Sequence, residues 1–183
     1  MNNIWKITKK IFVSGAPGSR WSGICERIQA GPGYNTSDRS EARLYEKSDS
    51  VAHFGSYFGT GMEFPADLND ENLHAPFESV NKITYLLLKS HEWVYKLDEI
   101  TEKYPSAGIL LIYRPNETCF DWWTEAGGWN ITYPNYDWYE NDNVMKQKIS
   151  EQNDLMLRWS QKKHLVWKPD NKHYDVLLAK YQC

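Results

Sequence analysis

The sequence predicts an α/β fold, an open parallel sheet flanked by helices, in a single domain covering residues 1–183. Three observations carry this expectation. Apolar runs at 10–14, 83–88 and 109–113 have the length and composition of buried strands. Between the last two, Trp93, Leu97, Ile100 and Tyr104 fall on one helical stripe, so strand, helix and strand follow in the order of a parallel βαβ unit. The first run stops at Gly15 in a loop of small residues that leads into a segment able to start a helix.

The remaining elements follow in order. Residues 22–30 read as a short helix with Ile24 and Ile28 on one face. Residues 31–50 are polar, with Gly-Pro-Gly, and read as loop. Gly55, Gly59 and Gly61 interleave with Phe54, Tyr57 and Phe58, which suggests an ordered aromatic loop. Residues 65–79 are acidic with two prolines and read as surface connection. Pro105 ends the helix after the second strand. A long helix is expected over 143–161, with Met145, Ile149, Gln152, Met156 and Trp159 on its stripe. Residues 164–167 are expected to add a short strand, and 172–181 to form a final helix. Eight of the twenty residues from Phe120 to Tyr139 are aromatic. Trp122 and Trp123 are expected in the core, while Trp129, Tyr133, Tyr136 and Trp138 fit either core or a pocket whose flat rings stack on a ligand.

Net charge is −3, which gives nucleic acid no overall attraction. The charge is uneven: residues 1–31 hold Lys6, Lys9, Lys10, Arg20 and Arg27 against Glu26 alone, whereas 116–142 hold six acids and no Lys or Arg. A basic end beside the glycine loop suits an anionic ligand. Cys25, Cys119 and Cys183 are odd in number and form no C-x-x-C pair, which fits a reducing, cytoplasmic setting and offers no zinc site. No run is long and apolar enough to suggest a membrane span or a signal peptide.

The chemistry concentrates at strand ends, where open parallel sheets bind ligands. After the first strand, Gly15, Pro17, Gly18, Ser19, Arg20, Trp21 and Ser22 make a strand–loop–helix cradle for phosphate or sulfate. Backbone N–H groups converge there, Arg20 adds charge, and Ser19 and Ser22 add hydroxyls. It is not a Walker A loop, because the second Gly and the Lys of G-x-x-x-x-G-K-[ST] are missing. The second strand runs into Lys89-Ser90-His91, and the third ends at Arg114-Pro115. Taken singly, each of these residues reads as an ordinary solvated or capping group. At three successive strand ends, they read together as three cations and one proton acceptor around an anion.

This set resembles the P-loop sulfotransferases, which move a sulfuryl group from 3′-phosphoadenosine 5′-phosphosulfate (PAPS) to an alcohol or amine. Pro17-Gly18-Ser19-Arg20-Trp21-Ser22 is similar to their Pro-Lys/Arg-Ser-Gly-Thr-Thr loop, with the loop cation displaced from position 18 to Arg20. Lys89-Ser90-His91 resembles their Lys-Thr/Ser-His strand end, and Arg114 their 3′-phosphate arginine. The resemblance implies a P-loop-type sheet. It assigns His91 as base, Lys89 to the bridging oxygen, the loop to the phosphosulfate and Arg114 to the 3′-phosphate. It also implies a small-molecule or carbohydrate acceptor and no metal. Two features depart from it: position 122, where the family carries a Ser, is Trp, and the late Arg-Lys-Gly loop is missing. The Gly-aromatic loops and Tyr-Pro-Asn-Tyr block also resemble short sulfotransferase-like proteins of marine cyanophages, which implies a host-cytoplasmic location.

Two other readings remain at this stage. A small-molecule kinase would use a similar cradle, but Trp21 stands where its Lys belongs, and the strands end in cations in place of a magnesium-binding acid. A degenerate fold kept for binding or assembly would explain the eroded loop and missing lid.

Overall fold

The computed structural model describes residues 9–37, 67–75, 77, 84–131 and 138–182. The aromatic loop at 54–61, Tyr133 and Tyr136 lie outside the described residues. One mixed five-stranded sheet organises the described residues, in the spatial order Tyr85–Lys89, Lys9–Gly15, Gly108–Tyr113, Leu177–Tyr181, Lys168–Pro169. Its parallel centre is β1 (Lys9–Gly15), β2 (Tyr85–Lys89) and β3 (Gly108–Tyr113), with β1 between the other two. The segment from β2 to β3 therefore crosses over β1. It consists of a 3-10 turn at His91–Tyr95 followed by α3 (Leu97–Lys103).

The sheet is not purely parallel, and residues 172–181 are not helical. The C-terminal segment folds as β4 (Lys168–Pro169) and β5 (Leu177–Tyr181), and β5 runs antiparallel to β3. Leu, Ala and Lys favour helix intrinsically, but the open edge of β3 presents a row of backbone groups that need partners. Pairing Ile109–Tyr113 with Leu177–Tyr181 supplies them. Residues 164–167 precede β4 instead of forming a strand.

Side chains alternate across the strands, so the sheet has two apolar faces. Phe12, Leu86, Leu88, Ile109 and Leu111 pack with Trp93, Leu97, Ile100, Met156 and Trp159. The last two belong to α5 (Asp142–Lys162), which Asn141 caps by accepting from the N–H groups of Asn143 and Val144. On the other face, Val13, Leu87, Leu110 and Ile112 pack with Trp21, Ile24 and Cys25 of α1 (Trp21–Gln29). Leu73 of α2 (Asp70–His74) and the neighbouring Leu68 are buried in the first cluster, so this part of 65–79 is anchored in the core and is not merely surface connection.

A third cluster sits beyond the carboxyl ends of the strands. It joins Ala16 of the loop to Cys119 and Trp123 of α4 (Asn116–Glu125), and to Met145 and Ile149 of α5. The sequence reading assigned no helix to 116–125, although Cys119, Trp123 and Ala126 stand at helical spacing. No helix among the described residues is long and apolar enough to cross a membrane.

Candidate functional site

The loop after β1 is shaped by two left-handed residues, Gly18 (φ 75°) and Arg20 (φ 65°). Only glycine adopts that conformation freely, and an arginine held there is a local strain of the kind found at binding sites. The Ser19 N–H closes the turn on the Ala16 carbonyl at 3.0 Å. Arg20 is also the N-cap of α1, with no side-chain cap and no acid in the first turn. The positive end of the helix is thus left without a side-chain acceptor.

Arg20 and Arg114 meet over one ring. The Arg20 guanidinium carbon lies 4.4 Å from the centroid of Trp122, and that of Arg114 lies 5.9 Å from it. Trp122 is therefore partly a platform for cations and not simply core, whereas Trp123 is buried as expected. Burial first, and then the Arg114 charge, lower the Arg20 pKa from its ordinary value. The Arg114 backbone is fixed from behind, its carbonyl accepting from Asn153 Nδ2 at 2.9 Å and Cys119 Sγ at 3.3 Å. Four buried polar atoms in this set have no hydrogen-bond partner: Ser19 Oγ, Arg20 Nε, and Arg114 Nε and Nη1. Buried donors left without acceptors are costly, and an oxyanion is the kind of group that would satisfy several at once.

Two residues that the sequence reading missed complete the cluster. The turn between β4 and β5 sets His173 Nδ1 2.8 Å from Arg20 Nη1 and Asp175 Oδ2 2.5 Å from Arg114 Nη2. Nothing local in the sequence marks them, because their role depends on β5 pairing with β3.

His91 sits beside the loop, on the same edge as Gly15, but it is enclosed. Its Nδ1 bonds the Gly15 carbonyl, and Trp21 Nε1–H donates to its Nε2 at 3.3 Å. Indole N–H can only donate, so Nε2 carries the lone pair and Nδ1 the proton. The ring is 1% exposed and packs edge-on to Trp21. Ser14 Oγ fastens the same junction by donating to the Ser90 carbonyl at 2.7 Å. Burial lowers the His91 pKa from 6.5 to about 4.

Lys89 is buried as well, with Nζ 3.3 Å from Gln29 Oε1 on the last residue of α1. This contact joins Lys89 to the carboxyl end of α1, where the helix dipole favours a cation. The structure thus brings Arg20, Arg114 and Ser19 to one edge, with His91 adjacent behind Trp21. Pro17 and Gly18 shape the loop, and Ser22 lies in the first turn of α1.

The buried histidines set an acid limit to stability. His74 is also lowered to about 4, by burial and then by Lys10. Both groups take up protons more readily in the unfolded chain, where the value is near 6.5. Their contribution is complete above pH 6.5 and is lost as pH falls toward 4. The thermal midpoint is therefore expected to drop across that window, more steeply in wild type than in His91→Asn. A flat profile there would contradict the enclosed, neutral imidazole.

Comparison of the chain with known families, curated proteins and solved structures finds no match.

Proposed function

We propose that this edge of the sheet binds the phosphate and sulfate groups of PAPS, and that the protein transfers the sulfuryl group to a hydroxyl or amine of a small-molecule or carbohydrate acceptor. The observation that carries the reading is the Arg20–Arg114 pair, with its unpartnered buried donors at the end of the parallel strands. A nucleotide with anions at two positions suits two arginines and a helix N-terminus better than a neutral ligand would.

In this reading the loop N–H groups, Ser19, Arg20 and Ser22 hold the phosphosulfate, and Arg114 holds the 3′-phosphate. PAPS, when bound, supplies the activated sulfuryl group. The protein contributes position and charge, as in phosphoryl transfer. His91 carries its lone pair on Nε2, the form a base needs, and takes the acceptor proton once the Trp21 N–H moves aside. Lys89 serves the bridging oxygen by exchanging its contact with Gln29.

The test is calorimetry with 3′-phosphoadenosine 5′-phosphate (PAP) and with adenosine 5′-phosphosulfate, which lacks the 3′-phosphate. PAP is expected to bind more tightly. Arg114→Ala is expected to weaken PAP about ten- to a hundred-fold, the usual cost of losing a charge-assisted hydrogen bond. Equal affinity for the two nucleotides, or an Arg114→Ala variant with unchanged PAP affinity, would remove Arg114 from the 3′-phosphate and PAPS from the reading.

A second reading, nucleotide binding without catalysis, is favoured by one observation: both His91 nitrogens are engaged and the ring is shielded from solvent. Tight PAP binding with no turnover across a broad acceptor panel would select it.

A further inference from the structure

We propose that Asp175 is a built-in substitute for the ligand's anion: its carboxylate holds Arg114 until an incoming phosphate or sulfate group displaces it. The inference rests on the anion-binding part of the proposed function and goes beyond it, because it assigns a selecting role to a residue that binds no ligand itself.

The two partners differ in freedom. The Arg114 side chain is 7% exposed, and its backbone carbonyl is held by Asn153 and Cys119. The Asp175 side chain is 46% exposed and can leave by rotating into solvent. The turn that carries Asp175 is held by other bonds. The Asp170 N–H donates to the Val176 carbonyl at 2.7 Å, and the Val176 N–H to the His173 carbonyl at 2.9 Å. The Asp170 carboxylate meets Arg27 at 2.8 Å, and the Val176 side chain is fully buried. Releasing Asp175 therefore requires a side-chain rotation and no refolding of the turn.

The charge balance favours exchange. Two guanidinium groups share this corner, and Asp175 is close enough to act on both, yet it pairs through one oxygen with one Arg114 nitrogen. Arg114 Nε and Nη1 stay without partners. A tetrahedral dianion presents more oxygens and more charge, so it can bond the fork that Asp175 leaves open. A weakly charged or singly bonding ligand gains too little to displace the carboxylate. Asp175 thus raises the charge a ligand must carry before it is accepted. It also shields the pair when no ligand is bound.

The experiment titrates wild type, Asp175→Asn, Arg114→Ala and the double variant with PAP and separately with sodium sulfate. Glu125→Gln serves as a charge control, because Glu125 acts on Arg20 through its field. Asp175→Asn is expected to bind both probes about three- to ten-fold more tightly, since the open form of the site no longer competes with an internal carboxylate. That gain is expected to vanish in the Arg114→Ala background and to exceed the gain from Glu125→Gln. If Asp175→Asn binds PAP no better while wild type binds it well, Asp175 merely orients Arg114; the inference falls and the nucleotide reading stands. If Asp175→Asn tightens sulfate but no variant binds PAP, the inference stands and the nucleotide reading falls. An equal gain in Glu125→Gln, or no binding of either probe by any variant, overturns the inference.

Discussion

Gly18→Ala is expected to be the most destabilising single-methyl substitution in the candidate site. A Cβ at position 18 would lie 1.8 Å from the Cys119 carbonyl oxygen and 3.0 Å from the Trp123 backbone nitrogen. These are backbone atoms of α4, so no side chain can rotate away to make room. The left-handed φ of 75° adds about 1–2 kcal/mol for a residue with a Cβ, and overpacking adds about 1–3 kcal/mol. Together these lower stability by roughly 2–5 kcal/mol, or the thermal midpoint by roughly 4–20 °C for a chain of this length. Gly23→Ala is the matched control. Nothing lies within 4 Å of its Cβ position, and it sits inside α1, so a gain of about 0.4–1 kcal/mol is expected. Equal midpoints for the two variants would mean that the loop does not rest on α4. Gly18→Ala is also expected to weaken PAP binding, because α4 carries Trp122, the ring on which Arg20 and Arg114 meet.

The same contact bears on where the loop's charge sits. No side chain has space at position 18, and the positive charge beside the loop is that of Arg20, set over Trp122.

The parallel centre of the sheet was readable because each strand is a short apolar run bounded by glycine, proline or charge. Strands β1, β2 and β3 lie where those runs predicted, and α1 and α5 follow from their apolar spacing. The two C-terminal antiparallel strands were not readable. Leu177–Tyr181 has no strong strand preference and becomes a strand because β3 needs a partner. The site divides in the same way. Arg20, His91 and Arg114 were marked by standing at the ends of legible strands. His173 and Asp175 were not, since the turn that delivers them exists only once β5 has paired. The enclosure of His91 was also hidden, because the indole that caps it comes from 70 residues earlier.

Loss of His91 is expected to have the largest effect on turnover. If its Nε2 receives the acceptor proton, His91→Ala loses about 10²–10⁴-fold in rate while PAP affinity changes little, since the imidazole acts on the acceptor and not on the nucleotide. The substitution also leaves the Gly15 carbonyl and the Trp21 N–H without their partner, so His91→Asn is a needed companion, with both assayed well below their unfolding midpoints. Trp21→Phe separates the two readings of the site. It keeps an aromatic ring in the same pocket but removes the N–H that occupies Nε2. In a working enzyme this frees the lone pair, and the rate is expected to hold or rise. Burial keeps the wild-type imidazole unprotonated at neutral pH, so its Nε2 lone pair is already present there. A wild-type rate in His91→Ala would remove the residue from the chemistry. A protein that binds PAP but turns over no acceptor, with His91→Asn and Trp21→Phe changing only its melting temperature, would make the imidazole a structural clasp between β1, α1 and the 3-10 turn.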